Sequence, residues 1–468
     1  MAKKRVGSVP ATRAPLATRG ERFEAGRAVR DVVPLEALAD AGGTGRDPLA
    51  TLRAQDAGRL PDLVPIRWGR MSVSPFTFYR GAAAVMASDL AVTKHTGLTV
   101  QLCGDAHLSN FGVFAAPDRR LVFDLNDFDE TMPGPFEWDV KRLAASVAVA
   151  GRNSGLGDKQ CARAAAASAE GYRSTLASAA ALDPLDVWYF RVELDQLGQL
   201  AGGGGRKVST KRIAAAKAAA GRKNRLGALA KLTEVVDGQR RIRERPPLIW
   251  RFPADRLESE LHLVRAFFER YLESLTGDRR HLLLRYRVAD LGVKVVGVGS
   301  VGTRCLVALL ESGDEEPLFL QLKQAGPSVL EQFAGDRVPG QHGRRVVEGQ
   351  QLVQSAVDVF LGWSHYEGGS ETTDYYVRQL WDGKASATVE VMGPKVLARY
   401  ARLCGAVLAR AHARSGDATA ISGYLGDDDT FDRALTTYAV EYARRNEQDH
   451  AAVLDAISSG ALPVIRDI

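Results

Sequence analysis

Lys323 stands inside LFLQLKQA, a run that otherwise reads as an apolar strand. This one charge narrows the folds open to the chain. A buried ammonium is strongly destabilising unless an anion meets it. So the fold has to bring either a carboxylate or a ligand's phosphate to this strand. Glu348, in the helical stretch RRVVEGQQLVQSAVD, is the first choice of partner, and Glu331 is its rival. The bland alternative is a surface lysine on an edge strand.

The strand belongs to a chain that alternates between helix and strand patterns. LTVQLCGDAHLSNFGVF and RRLVFDLNDFDE read as strands separated by polar turns. FTFYRGAAAVMASDLAVTK (76–94) reads as a helix before them. FEWDVKRLAASVAVAGRN follows them as a helix, its Val140, Leu143, Ala144 and Val147 keeping the i, i+3, i+4, i+7 rule. Residues 158–280 read as mostly helical, with a break at AGGGG (201–205). Strand signals return from about 282 through DYYVRQLWDGK, and helices close the chain. The fold class is α+β.

With 468 residues, 45% hydrophobic and 25% charged, the composition is that of a globular protein and excludes a disordered or fibrous chain. No apolar run is long enough to span a bilayer, so no membrane partner is expected. Cys103, Cys161, Cys305 and Cys404 are far apart and form no metal or disulfide framework, which points to a reducing cytoplasm. Between Arg206 and Arg245, thirteen basic residues stand against three acidic ones. That run could attract nucleic acid, but no base-stacking aromatics interleave with it, so nucleic acid is disfavoured.

Two motifs carry chemistry. Asp105, His107 and Asn110 share the loop GDAHLSN, and Asp124, Asp127 and Asp129 follow on the next strand and loop. An acid to receive a proton, an amide oxygen and a further acid for a metal form a phosphoryl-transfer set. Gly297, Gly299 and Gly302 lie between two strand patterns with no helix after them. A dinucleotide fold would need that helix, so a hairpin lid over a nucleotide is the better reading.

GDAHLSNFG, FDLNDFDE and FEWDVKRLAAS together resemble the catalytic half of aminoglycoside-phosphotransferase and protein-kinase-like enzymes. More closely, the chain after about residue 60 resembles a bacterial family known as domain of unknown function 2252, through FTFYRGAAAVMASDLA, VQLCGDAHLSNFG, VGVGSVGTR, LQLKQA, RRVVEGQQLVQSAVD, YYVRQLWDGK and LARAHARSGD. The resemblance implies a protein-kinase-like two-lobe fold with a large helical lobe and a small antiparallel-sheet lobe. On this reading 1–60 is a basic arm and entry segment, and 61–157 carries the catalytic loop. Residues 158–280 form a helical insert, 281–385 the nucleotide-binding small lobe, and 386–468 the C-terminal helices of the large lobe.

The resemblance also implies roles. Asp105 would be the catalytic base, with His107 beside it. Asn110, Asp127 and Asp129 would hold magnesium. Gly297, Gly299 and Gly302 would cover the phosphates of ATP, and Lys323, held by Glu348, would contact them. Arg378 and Gln379 would lie in the hinge beside the base, and Asp139 would brace the catalytic loop. The catalytic loop precedes the glycine loop, the reverse of an ordinary kinase, so the resemblance implies a circular permutation. Either LARYARLCGAVLARAHAR or FYRGAAAVMASDLA would then pack just ahead of the catalytic loop. Separation of Lys323 from Asp127 by more than ~15 Å would defeat both versions, since one nucleotide must reach both.

The implied activity is ATP- and magnesium-dependent transfer to an unknown hydroxyl acceptor, a small molecule or a protein. The alternatives are a nucleotide-binding pseudokinase acting as a regulatory module, and a nucleotidyl transferase on the same fold. Arg80, Arg378 and His412 read as internal partners.

Overall fold

The computed structural model describes residues 16–43, 45–193, 218, 221, 225–253, 255, 260–333, 340–368, 372–380 and 383–466. The start of the basic arm, the AGGGG break and most of the basic run up to 224 lie outside the described residues.

Helices and antiparallel sheets make a mixed α+β fold. In chain order the strands are β1 (Thr99–Leu102), β2 (Phe111–Ala115), β3 (Leu121–Leu125), β4 (Met132–Pro135), β5 (Thr233–Val236), β6 (Gln239–Ile242) and β7 (Ile249–Arg251). They continue with β8 (Arg287–Lys294), β9 (Cys305–Glu311), β10 (Pro317–Ala325), β11 (Gly362–Tyr366), β12 (Thr373–Gln379) and β13 (Ala385–Ser386). The main sheet runs β11-β12-β10-β9-β8-β7, and smaller sheets pair β13-β2-β3, β1-β4 and β5-β6.

Alternation along β9 and β10 sorts the main sheet into two faces. Ala308, Leu310, Leu318, Leu320 and Leu322 pack with Phe267 and Tyr271 of the helix Leu261–Ser274. Val307, Leu309 and Phe319 point the other way, toward Ala228 and Leu232. Lys323 follows Leu322 and so falls on the Phe319 side. Its strand is paired on both edges, with β9 and β12, so the edge-strand reading does not hold.

The segment expected to be helical, 158–280, contains β5, β6 and β7, and β7 forms one edge of the main sheet. The helix expected over 76–94 is two, Pro75–Gly81 and Ala83–Ala91, because Ala82 leaves the helical region at φ −110°, ψ 33°.

The helix Phe136–Asn153 is the spine of the other half. Residues from Phe136 to Gly151 are all buried, polar ones included. The helices Asp158–Ala180, Pro394–Ser415 and Thr430–Ser458 pack around it. The C-terminal end of Pro394–Ser415 meets β1, where Ser415 Oγ accepts the Gln101 N–H at 3.1 Å. Among the described residues no helix is long and apolar enough to cross a membrane.

Candidate active site

One face of the spine helix holds the GDAHLSN loop. Asp139, Arg142 and Ser146 are spaced three and four residues apart, so they line one side of the helix. Asp139 accepts the Cys103 N–H at 2.7 Å and the Gly104 N–H at 3.0 Å. Arg142 donates to Asp105 Oδ1 from Nε at 2.8 Å. Ser146 Oγ accepts the Leu108 N–H at 3.1 Å. Gly104 takes φ +85°, and a Cβ there would lie 2.2 Å from the Glu130 carbonyl oxygen, so the turn needs glycine. Asn110 closes the loop by donating its amide to the Asp105 carbonyl at 2.7 Å. His107 Nε2 lies 3.6 Å from Asp105 Oδ2. His412 is an internal partner, between the Tyr172 hydroxyl and Asp139.

The second carboxylate group meets the sheet. Residues directly opposite on paired strands share a face, so Lys323 and Tyr376, and next to them Gln321 and Arg378, project together. Lys323 Nζ donates to Asp129 Oδ2 at 2.5 Å and lies 3.9 Å from Asp127 Oδ1. Tyr376 donates to Asp129 Oδ1 at 2.6 Å, and Ser300 of the glycine loop to Asp129 Oδ2 at 3.2 Å. Asp127 Oδ1 is buried and accepts no hydrogen bond. Asp124 is structural, completely buried against Arg410 and bonded by Ser355.

The glycine loop, residues 295–304, links β8 to β9 as the expected hairpin. Its underside rests on the N-terminal segment. Arg70 donates to the Gly297 carbonyl at 2.6 Å, and Arg59 donates to the carbonyls of Gly299, at 2.8 Å, and Val301. The Leu60 N–H donates to the Gly302 carbonyl at 2.8 Å, and Gly302 packs on the Arg59 side chain. The loop, the GDAHLSN turn and the acidic turn surround one cleft of about 600 Å³. Asp105, His107, Asn110, Asp127, Asp129, Gly297 and Gly299 line it. Arg80 lines it too, and it makes no hydrogen bond or ion pair among the described residues, so it is not the internal partner expected.

Burial sets the electrostatics. It raises the Asp105 carboxyl above its ordinary range, against the pull of Arg142 and Arg80. Burial, joined by the charges of Arg80 and Arg142, lowers His107 well below its usual value and keeps the ring neutral. Burial and the charge of Asp129 raise Asp127. Its carboxylate is 35% exposed to the cleft, so water tempers that rise. Burial would also raise Asp129, but Lys323 and the Tyr376 hydroxyl override it and hold the group down at about 2. For Lys323 burial works against the charge, and the two carboxylates outweigh it and raise its pKa well above the ordinary range.

Glu348, Arg378 and Gln379 do not line this cleft. Glu348 does not reach Lys323. It is more than half exposed and pairs with Arg344 at 2.7 Å. In the helix His342–Val353 the inward face is Arg345, Val346, Gly349, Gln350 and Val353, and positions 344 and 348 share the outer face as an i,i+4 pair. The inward cation Arg345 instead donates to the carbonyls of Asp129, at 2.8 Å, and Thr131. Arg378 stands behind the acidic turn, bonded to Gln321 and the Asn126 carbonyl. Gln379 is placed by its backbone N–H, which donates to Asp358. The sequence motifs do not mark Arg142, Ser146, Arg345 or Tyr376 as site residues. The signal available was a polar stripe at helical spacing within FEWDVKRLAAS.

No curated protein and no solved structure matches the chain. A family model does match, that of DUF2252, described as an uncharacterized protein conserved in bacteria, and it covers residues 59–456. The match runs from the arginine beneath the glycine loop to the last helix, and the chain belongs to this family.

Proposed function

We propose that the protein is an ATP- and magnesium-dependent phosphotransferase acting on a hydroxyl acceptor, built on a kinase-like two-lobe fold with permuted motif order. The observation that carries the reading is the meeting of Lys323 with Asp129 and Asp127, two acids that line one cleft together with Asp105 and the glycine loop. The Ser415–Gln101 contact supports the permutation, because it leads the helix after β12 directly into the strand before the catalytic loop.

The donor set fits magnesium. Asp127 Oδ1 is a buried oxygen with no hydrogen bond. Asn110 engages its amide nitrogen with the Asp105 carbonyl, which leaves the amide oxygen for a cation. Among the described residues no three His, Cys, Asp or Glu groups could hold a metal alone. Magnesium commonly takes one or two carboxylates and completes its shell with phosphate oxygens and water. When bound, it would neutralise charge on the transferring phosphate.

The chain's own groups divide the remaining work. Asp105 Oδ2, free of the Arg142 bond, takes the acceptor's hydroxyl proton. The acceptor oxygen bonds to the γ-phosphorus, the bond from that phosphorus to the β-bridging oxygen breaks, and ADP leaves. Lys323 and the glycine-loop amides hold the phosphates, and Arg142 keeps Asp105 aimed.

Calorimetric titration of ATP, with and without magnesium, tests this in wild type, Lys323→Ala and Asp127→Ala. Magnesium-dependent binding in wild type and its loss in both variants is the expected result. Asp105→Asn is expected to bind ATP and fail to consume it. A folded wild-type protein that binds no ATP refutes the proposal, and binding without any ATP consumption points to the regulatory module.

A further inference from the structure

We propose that the acceptor carries an oxyanion, a phosphate or carboxylate, which Arg80 and His107 hold beside Asp105; this rests on the phosphotransferase reading. The other arginines around the cleft are engaged. Arg142 holds Asp105, and Arg345, Arg59 and Arg70 hold backbone carbonyls. Arg80 is the exception among the described residues. Its Nε is buried without a partner, and no carboxylate pairs with its guanidinium, although the side chain lines the cleft. A cation partly withdrawn from water without a partner is unfavourable, and a planar guanidinium accepts a phosphate or carboxylate in a two-bond fork.

His107 has the same deficit. It is 4% exposed, its Nδ1 has no hydrogen-bond partner, and its ring lies on the cleft wall. A neutral imidazole carries one N–H donor to offer an incoming oxygen.

Position separates this subsite from the nucleotide's. Arg142, which holds Asp105, also donates at 2.8 Å to the carbonyl of Tyr79, the residue before Arg80, whereas Lys323 meets Asp129 and Asp127. The free cation therefore lies on the side of the base, where the acceptor hydroxyl has to approach. A Cβ on Gly299 would lie 3.4 Å from the Arg80 carbonyl oxygen, so the subsite borders the glycine loop.

The test has two arms. In the first, inorganic phosphate and acetate are titrated separately, without nucleotide, into wild type, Arg80→Gln and Arg80→Lys, with circular dichroism checking the fold. Binding of at least one anion is expected to weaken tenfold or more in Arg80→Gln and less in Arg80→Lys, which keeps the charge and loses the fork. The preferred anion distinguishes the two head groups. In the second arm, a panel of hydroxy acids and sugar phosphates is offered with MgATP beside neutral polyols of the same length. Transfer is expected to the anionic members, and Arg80→Gln should raise the KM of the acceptor at least tenfold while the KM of ATP changes less than threefold. Equal anion binding by wild type and Arg80→Gln, a rise confined to the KM of ATP, or a preference for neutral acceptors overturns the proposal. Arg80-dependent anion binding in a protein that binds no ATP overturns the acceptor role together with the phosphotransferase reading, and leaves an anion site.

Discussion

Replacing Asp139 by Asn removes one charge and one acceptor from a buried point of the site. The carboxylate is 1% exposed and takes two backbone N–H groups, at 2.7 Å from Cys103 and 3.0 Å from Gly104. An amide has one oxygen, so its nitrogen turns toward one of those N–H groups and donor meets donor. A hydrogen bond to a charged group contributes about 1.5–3 kcal/mol, and a buried donor left unpaired costs about 1–3 kcal/mol. The loop that carries Asp105 should therefore open about 3 kcal/mol more easily, roughly 150-fold at about 1.4 kcal/mol per factor of ten. Hydrogen exchange followed by mass spectrometry reads this directly. The peptide spanning 99–110 should exchange about two orders of magnitude faster in Asp139→Asn, while the helix Leu261–Ser274, across the molecule, stays as in wild type. ATP consumption should fall with it, because Asp105 loses its bracing. Exchange of 99–110 within threefold of wild type would refute the argument that Asp139 holds the loop.

Two further outcomes follow from named contacts. Gly104→Ala forces a Cβ to 2.2 Å from the Glu130 carbonyl oxygen at φ +85°, and should cost more than about 3 kcal/mol in urea unfolding; an unchanged midpoint would show that the turn relaxes freely. Asp449 is raised to about 6 by burial, with Asp89 adding to the rise and Arg46 opposing it. The folded state thus holds this proton at a pH where the unfolded chain, near 3.9, has released it, so its contribution is complete below about pH 4 and is lost as pH rises to about 6. The stability of wild type minus that of Asp449→Asn should fall by about 2–3 kcal/mol over that window, and a flat difference would contradict the assignment.

Lys323 shows how far the residues could be read along the chain. A charge in an apolar strand required an anion, and the structure supplies one, but it is Asp129 rather than Glu348. Likewise the hairpin over the glycine loop and the helix Phe136–Asn153 follow from local patterns, each read within about a turn or a strand. The polar stripe on that helix was equally present in the sequence. Its meaning was not, since a buried polar residue declares only that it needs a partner.

What the amino-acid order settles is therefore local: strand or helix, turn or cap, and which charges cannot stand alone. Pairing across distance belongs to the tertiary structure. Lys323 and Asp129 are 194 residues apart, and Asp129 lies two residues from an equally acidic Asp127. Nothing in the neighbourhood of any of the three ranks the choices. Helix rotation turns Glu348 outward, strand register sets Tyr376 opposite Lys323, and Arg345 ties down the acidic turn. Each of these depends on how whole elements pack, and packing is decided by the core that all of them share.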